Sequence, residues 1–257
     1  MAQLVENCLA TRSNKQSSAG LNRQKAFAEL PLFERDRELN KLLQHAMQTK
    51  SFLVCGVPGS GKTRLLFEAE EKLVNAGKNV LYIPFVQPLH AFLASLAVRL
   101  GFGSTAQSSV VLRGLLWKKL ETEPRIILVD DISEASTSFY RFFERLLYHP
   151  GFTLIGSALN PHVLGSLHRV FWNQQAIVSL RLLSKAAASS LADVAIRLFV
   201  PDLPDAANFR DQVLQAARGN PGRIVGMCMR AADPAYRNGD RVRFAALNID
   251  SFTRLLS

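Results

Sequence analysis

Cysteine is scarce. The 257 residues hold three, at positions 8, 55 and 228, and no two of them stand in a C-x-x-C spacing. That removes a disulfide framework or a thiolate zinc site from consideration and suits a reducing compartment. The histidines (His45, His90, His149, His162, His168) never fall in an H-E-x-x-H spacing, so His162 and His168 read as surface groups rather than zinc ligands. No apolar run approaches the length of a membrane span, and the N-terminal MAQLVENCLATRSNKQSSAG lacks the apolar segment of a secretory signal. These absences predict a cytoplasmic protein with no membrane association. There is no internal repeat and no low-complexity tract. Acidic residues are also short: 21 against 31 Lys and Arg, a net charge of +10. A nucleotide would balance little of that excess, and a polyanion such as DNA or RNA is the natural partner. The plainer alternative, a basic surface that aids solubility, stays open because the cations are scattered along the chain.

What is present is a globular composition, 48% hydrophobic and 20% charged. The length predicts one large domain, or a large one plus a small one. The most informative stretch is SFLVCGVPGSGKT, Ser51 to Thr63. An apolar β-type run breaks into glycines and then Lys-Thr, and Gly56, Gly61, Lys62 and Thr63 occupy all four fixed positions of G-x-x-x-x-G-K-[ST]. Gly56, Gly59 and Gly61 free the backbone of Gly56-Val57-Pro58-Gly59-Ser60-Gly61 to turn N–H groups onto a β-phosphate. Lys62 adds a mobile positive charge for the β- and γ-phosphates, and the Thr63 hydroxyl is the expected Mg²⁺ ligand. The following KTRLLFEAEEKLV, which includes Arg64, predicts a helix whose positive dipole end faces the same anion.

Residues 1 to 29 are polar and without periodicity, a loose basic arm by composition. LPLFERDRELNKLLQHAMQ then shows Leu39, Leu42, Leu43 and Met47 at helical spacing. Strands are predicted at Lys78–Phe85, Arg125–Asp131, Gly151–Asn160 and Gln175–Ser184, alternating with helices through LHAFLASLAVRLG, VVLRGLLWKKLE and SFYRFFERLLYHPG. RIILVDD has four consecutive apolar residues before two carboxylates, the mark of a strand covered on both faces, as in a parallel sheet. After Lys185 only helical segments remain, punctuated by Pro201, Pro204 and Gly219. The expected architecture is an α/β core with a five-stranded parallel sheet over residues 30–184, then a helical lid over 185–257.

The end of the third strand supplies the second half of a site. Asp130 is the expected Walker-B carboxylate, holding Mg²⁺ through its water shell. Asp131 stands where a Glu normally polarises the attacking water. A carboxylate one methylene shorter sits about 1.5 Å further back, which predicts slow or partner-stimulated hydrolysis, with Glu134 as a possible helper. Ser157 and Asn160, at the end of the fourth strand, both suit a polar sensor, and either could instead cap a helix before Pro161. In the tail, Pro221 and Gly222 open a helix that puts Arg223 in its first turn. A cation there opposes the helix dipole, so an anion is expected beside it.

GVPGSGKT, ILVDD, TLIGSALN and GNPGR, in this order and spacing, resemble the AAA+ superfamily of ATPases. The match covers residues 30 to 257. LIGSALNPHVLGSL and the G-x-x-G-R-I tail further resemble the short transposition ATPases of the TnsC, TniB and MuB kind, while the entry FERDREL, Phe33 to Leu39, is similar to that of origin-binding ATPases of the Orc/Cdc6 kind. The resemblance implies a three-layer P-loop core, ATP and Mg²⁺ as cofactors, and a ring or filament of identical subunits. It also implies non-specific backbone contacts to double-stranded DNA and a transposase or adaptor protein as partner. It places Arg35 beside the adenine, makes Arg169 the arginine that reaches the next subunit's nucleotide, and expects a polar sensor at the end of the fourth strand, Asn160 or Ser157. For DNA contacts, the stretch after the second strand offers only Gln87, His90 and Arg99, leaving Lys118, Lys119 or the basic arm. A signalling switch of the STAND type and a protein-remodelling or loader ATPase are the competing readings.

Overall fold

In the computed structural model, residues 30–102, 107–123, 125–239 and 241–253 are described. The chain divides into two compact units, Met1–Leu32 and Phe33–Ser257. Of the first, only residues 30–32 are described, so the expected arm at 1–29 lies outside the described residues. The second unit carries everything that follows.

Five strands, β1 (Phe52–Cys55), β2 (Val80–Pro84), β3 (Ile126–Ile132), β4 (Thr153–Ala158) and β5 (Ile177–Ser179), form one parallel sheet in the order β2-β3-β4-β1-β5. α1 (Asp36–Met47) precedes β1, and α2 (Lys62–Asn75), α3 (Leu89–Arg99), α4 (Ser109–Thr122) and α5 (Thr137–Leu147) lie between the strands. Successive strand residues point to opposite faces, and both sets are apolar. Leu53, Ile83, Ile127 and Val129 join Phe92, Leu116, Phe139 and Phe143 from α3, α4 and α5 in one buried cluster. The alternate residues face the other layer: Phe52 meets His45 of α1 with ring centroids 5.0 Å apart, and Tyr82 meets Phe67 of α2 at 4.6 Å. A sheet buried on both faces explains the unbroken apolar runs.

After β4 a 3₁₀ segment runs from Pro161 to Arg169, kinked at Gly165. β5 is only three residues long, against the ten expected from Gln175 to Ser184. At the sheet edge only its β1 side is paired, and from Leu180 the chain turns off toward the helices. Helices α6 (Lys185–Phe199), α7 (Ala206–Ala217), α8 (Pro221–Ala231) and α9 (Phe244–Thr253) follow. A small antiparallel hairpin, Arg237–Asn238 with Arg241–Val242, precedes α9. Ser184 and Asn220 cap α6 and α8 by accepting from the N–H groups of Ala187 and Arg223. Among the described residues no helix is long and apolar enough to cross a membrane.

Candidate functional site

The phosphate loop leaves β1 at Gly56, whose N–H donates to the Ala158 and Leu159 carbonyls, 3.2 Å each. A Cβ here would stand 2.5 Å from Ser60 Oγ and 3.3 Å from Leu180 Cβ, so the loop's first turn leaves little room for a side chain. Ser60 is fully buried and its hydroxyl has no partner among the described residues. Gly59 (φ 77°) and Gly61 (φ 99°) take left-handed backbone that favours glycine. α2 then starts at Lys62, and the first amides of a helix have no partner within it. Lys62 is nearly buried and its Nζ donates to Gly56 O at 2.8 Å and Val57 O at 3.4 Å. Burial lowers the lysine's pKa, and the charges of Asp131 and Asp130 work against that shift.

β3 delivers Asp130 to the same place. Thr63 Oγ1 donates to its Oδ2 at 2.7 Å, Tyr82 Oη donates to Oδ2 at 2.8 Å, and Ser157 Oγ donates to Oδ1. The carboxylate is 6% exposed, and a buried charge needs such donors. Burial, then the Asp130 charge and the hydrogen bond to it, push the Tyr82 phenol's pKa up, so it remains a donor. One rung of the β2–β3 pairing, Ile83–Val129, separates Tyr82, opposite Leu128, from the Pro84–Asp130 rung; the long phenol side chain covers that distance.

Between Val129 and Ile132 the β3–β4 register shifts. Asp131 sits in this bulge with φ 60°, its N–H donating to Ser157 Oγ at 2.9 Å. A bulge re-aims the side chain it carries, and the Asp131 carboxylate is exposed where its neighbour is buried. Asp tolerates this left-handed backbone better than most residues. The donor set of Thr63 hydroxyl and Asp130 carboxylate is of the hard oxygen kind that suits Mg²⁺, beside a loop built for phosphate.

The other expected residues fall as follows. Gly222 is at the loop, its N–H donating to Gly59 O at 2.8 Å. Arg223 has its Nη2 donating to Asn248 Oδ1 at 3.2 Å; burial, then Arg218, lowers its pKa. Arg64 pairs with Glu68 on its own helix at 2.9 Å. Arg35 is 4% exposed, and its guanidinium donates to backbone carbonyls of Ser60 (3.4 Å), Arg181 and Glu34. Asn160 caps the 3₁₀ segment, its Oδ1 accepting from His162 N–H at 2.9 Å, whereas Ser157 is joined directly to Asp130. Arg169 is exposed, its guanidinium 5.4 Å from the Tyr140 ring centroid, and no described contact joins it to the loop.

Sequence reasoning missed Tyr82 and Asn220. The signal for the first is a hydroxyl-bearing aromatic on the opposite strand face from Leu81 and Ile83. For the second, an Asn just before a helix-opening Pro signals a cap, but not the Nδ2 that donates to Pro58 O at 2.9 Å.

No family model matches the chain. A stretch of 97 residues is 35% identical to the replication restart protein PriA of Treponema pallidum; it spans 37% of this chain and 14% of that protein's length. Among solved structures, the Aeropyrum pernix Orc1 protein in complex with DNA superposes with a TM-score of 0.62 at 19% identity, over 89% of this chain and 67% of that one. Domain III of the Thermotoga maritima replication initiation protein DnaA gives 0.60 at 18%, over 88% and 95%. AMPPCP-bound DnaA from Aquifex aeolicus gives 0.53 at 17%, over 81% and 65%. With the loop on β1, the acidic end of β3 and the sheet order in place, the chain has the three-layer P-loop NTPase fold of AAA+ type, a five-stranded parallel sheet followed by a helical lid.

Proposed function

We propose that this chain is a Mg²⁺-dependent ATPase of low intrinsic turnover that assembles with copies of itself on double-stranded DNA. The observation that carries the reading is the union of Lys62, Thr63 and Asp130 at the mouth of one glycine loop, with Thr63 Oγ1 2.7 Å from the carboxylate. In the reading, the loop amides and Lys62 bind the triphosphate, and Thr63 and Asp130 hold the ion. Bound Mg²⁺ supplies neutralisation of the phosphate oxygens. Asp131, aimed outward by the bulge, accepts the proton of the attacking water, and Ser157 or Asn160 orients that water. Arg169, exposed at the end of its segment, is offered to a neighbouring subunit. Arg223 and Arg35 complete the nucleotide's surroundings from the lid and from the turn before α1.

The basic charge and the likeness to a protein solved in complex with DNA support the DNA partner. A narrower reading, regulation of DNA transposition through target-site marking and recruitment of a transposase or adaptor, rests on LIGSALNPHVLGSL and the GNPGR tail. The Orc1 and DnaA likenesses favour an origin-type ATPase switch as the second reading. ATP-dependent binding to random-sequence duplex DNA, measured at two salt concentrations, tests the common core of both. Binding that requires ATP and weakens steeply with salt is expected; no binding at either concentration overturns the DNA partner. Lys62→Ala abolishes the ATP-dependent component, and retention of it in full would remove the nucleotide site from this loop.

A further inference from the structure

The phosphate loop is gripped from outside through three consecutive carbonyls. Asn220 Nδ2 donates to Pro58 O at 2.9 Å, Gly222 N–H donates to Gly59 O at 2.8 Å, and Arg35 reaches Ser60 O at 3.4 Å. Across a trans peptide plane the C=O of one residue and the N–H of the next point in opposite directions. Each grip therefore turns an amide, those of Gly59, Ser60 and Gly61, away from the lid and Arg35. The Ser60 amide closes the turn onto Val57 O at 3.0 Å, which leaves the Gly59 and Gly61 amides aimed into the loop. The fit is close: a Cβ on Gly222 would lie 2.6 Å from Gly59 Cα, and one on Gly59 2.5 Å from Asn220 Oδ1. Asn220 is itself 9% exposed and uses its Oδ1 to cap α8.

We infer that Asn220 and the Gly222 amide are positioning residues that pre-aim the phosphate-binding amides, so that the seating of the lid helix α8 sets the affinity of the loop for polyphosphate. The inference rests on the nucleotide reading above. It differs from a direct lid contact to the ligand, because both donors are already engaged on loop carbonyls and act through the loop's backbone. Linkage makes the effect reciprocal: polyphosphate binding must hold the start of α8 more firmly on the loop.

Asn220→Ser separates the two jobs of this side chain. Serine keeps the cap of α8, but is too short to reach Pro58 O. With the full chain and EDTA present, so that no metal contributes, the dissociation constants of ATP and of inorganic pyrophosphate are measured for wild type, Asn220→Ser and Gly222→Ala. Both variants are expected to weaken both ligands by about tenfold, the weight of one net hydrogen bond, with Asn220→Ser melting within a few degrees of wild type. In wild type, ATP slows hydrogen exchange at residues 220–224; in Asn220→Ser that protection shrinks. Wild-type affinity for pyrophosphate in both variants overturns the inference while leaving the nucleotide site intact. Wild type that binds neither ligand overturns the nucleotide reading and this inference together.

Discussion

Asp130 receives three hydroxyls, from Thr63, Tyr82 and Ser157, and each has a distinct weight. Tyr82→Phe leaves the ring against Phe67 and removes only the donor. One hydrogen bond to a charged group is worth about 1.5–3 kcal/mol, and the remaining two hydroxyls reduce the loss here. Expected is a stability loss of about 1 kcal/mol in urea unfolding, and an ATP affinity that falls further with Mg²⁺ present than in EDTA. Asp131 carries a different constraint. Glutamate at this position would extend the carboxylate by one bond, and steady-state phosphate release by Asp131→Glu is expected to exceed wild type. The left-handed backbone at φ 60° exacts a counter-effect, about 1 kcal/mol of stability for a longer side chain. An unchanged or lower turnover would count against the short-carboxylate explanation.

The connections after β3 and β4 are stitched to each other, and that stitching holds the Asp131 turn. Glu134 N–H donates to Val163 O at 2.6 Å and Ser166 N–H to Ala135 O at 2.7 Å. Gly165, at φ 55°, allows this approach, since a Cβ there would meet Ala135 O at 2.4 Å. Gly165→Ala is expected to lose about 3 kcal/mol in denaturant unfolding, from backbone strain plus the clash. A second tie joins the turn before α1 to the start of α6: the Glu34 carboxylate accepts from Ser184 N–H at 2.9 Å and from its hydroxyl, which holds its pKa below the usual carboxylate value. A depressed folded-state pKa stabilises above the unfolded value and stops doing so as pH falls through the folded one. The melting-temperature gap between wild type and Glu34→Gln should therefore be full near neutrality and close below about pH 4. Periodicity and glycine spacing made the strands, the alternating helices and the loop from Gly56 to Thr63 legible beforehand. These ties were not, because each joins residues far apart in sequence, 150 positions for Glu34 and Ser184 and 162 for Asn220 and Pro58. β5 was overestimated for a related reason: apolar texture continues to Leu183, but strand pairing ends where no neighbour accompanies it.

At the scale of the whole chain, ligand binding and charge give the two bulk measurements. ATP at a hundredfold excess over its dissociation constant should stabilise the fold by about 2.7 kcal/mol, a rise of roughly 5–10 °C in melting temperature, which Lys62→Ala abolishes. If several scattered Lys and Arg meet phosphates, affinity for duplex DNA should fall by two or more orders of magnitude between about 50 and about 200 mM salt. The topology has its own consequence. β1, which bears the loop, is the first strand in sequence, yet it lies between β4 and β5, pairing Phe52 with Ile155 and Leu53 with Ile177. During synthesis it must wait, unpartnered, until more than a hundred further residues have left the ribosome. Chains halted after β3 will display a bare hydrophobic ribbon and no nucleotide affinity, so the binding loop becomes competent among the last parts of the molecule, and its competence reports that the rest has arrived.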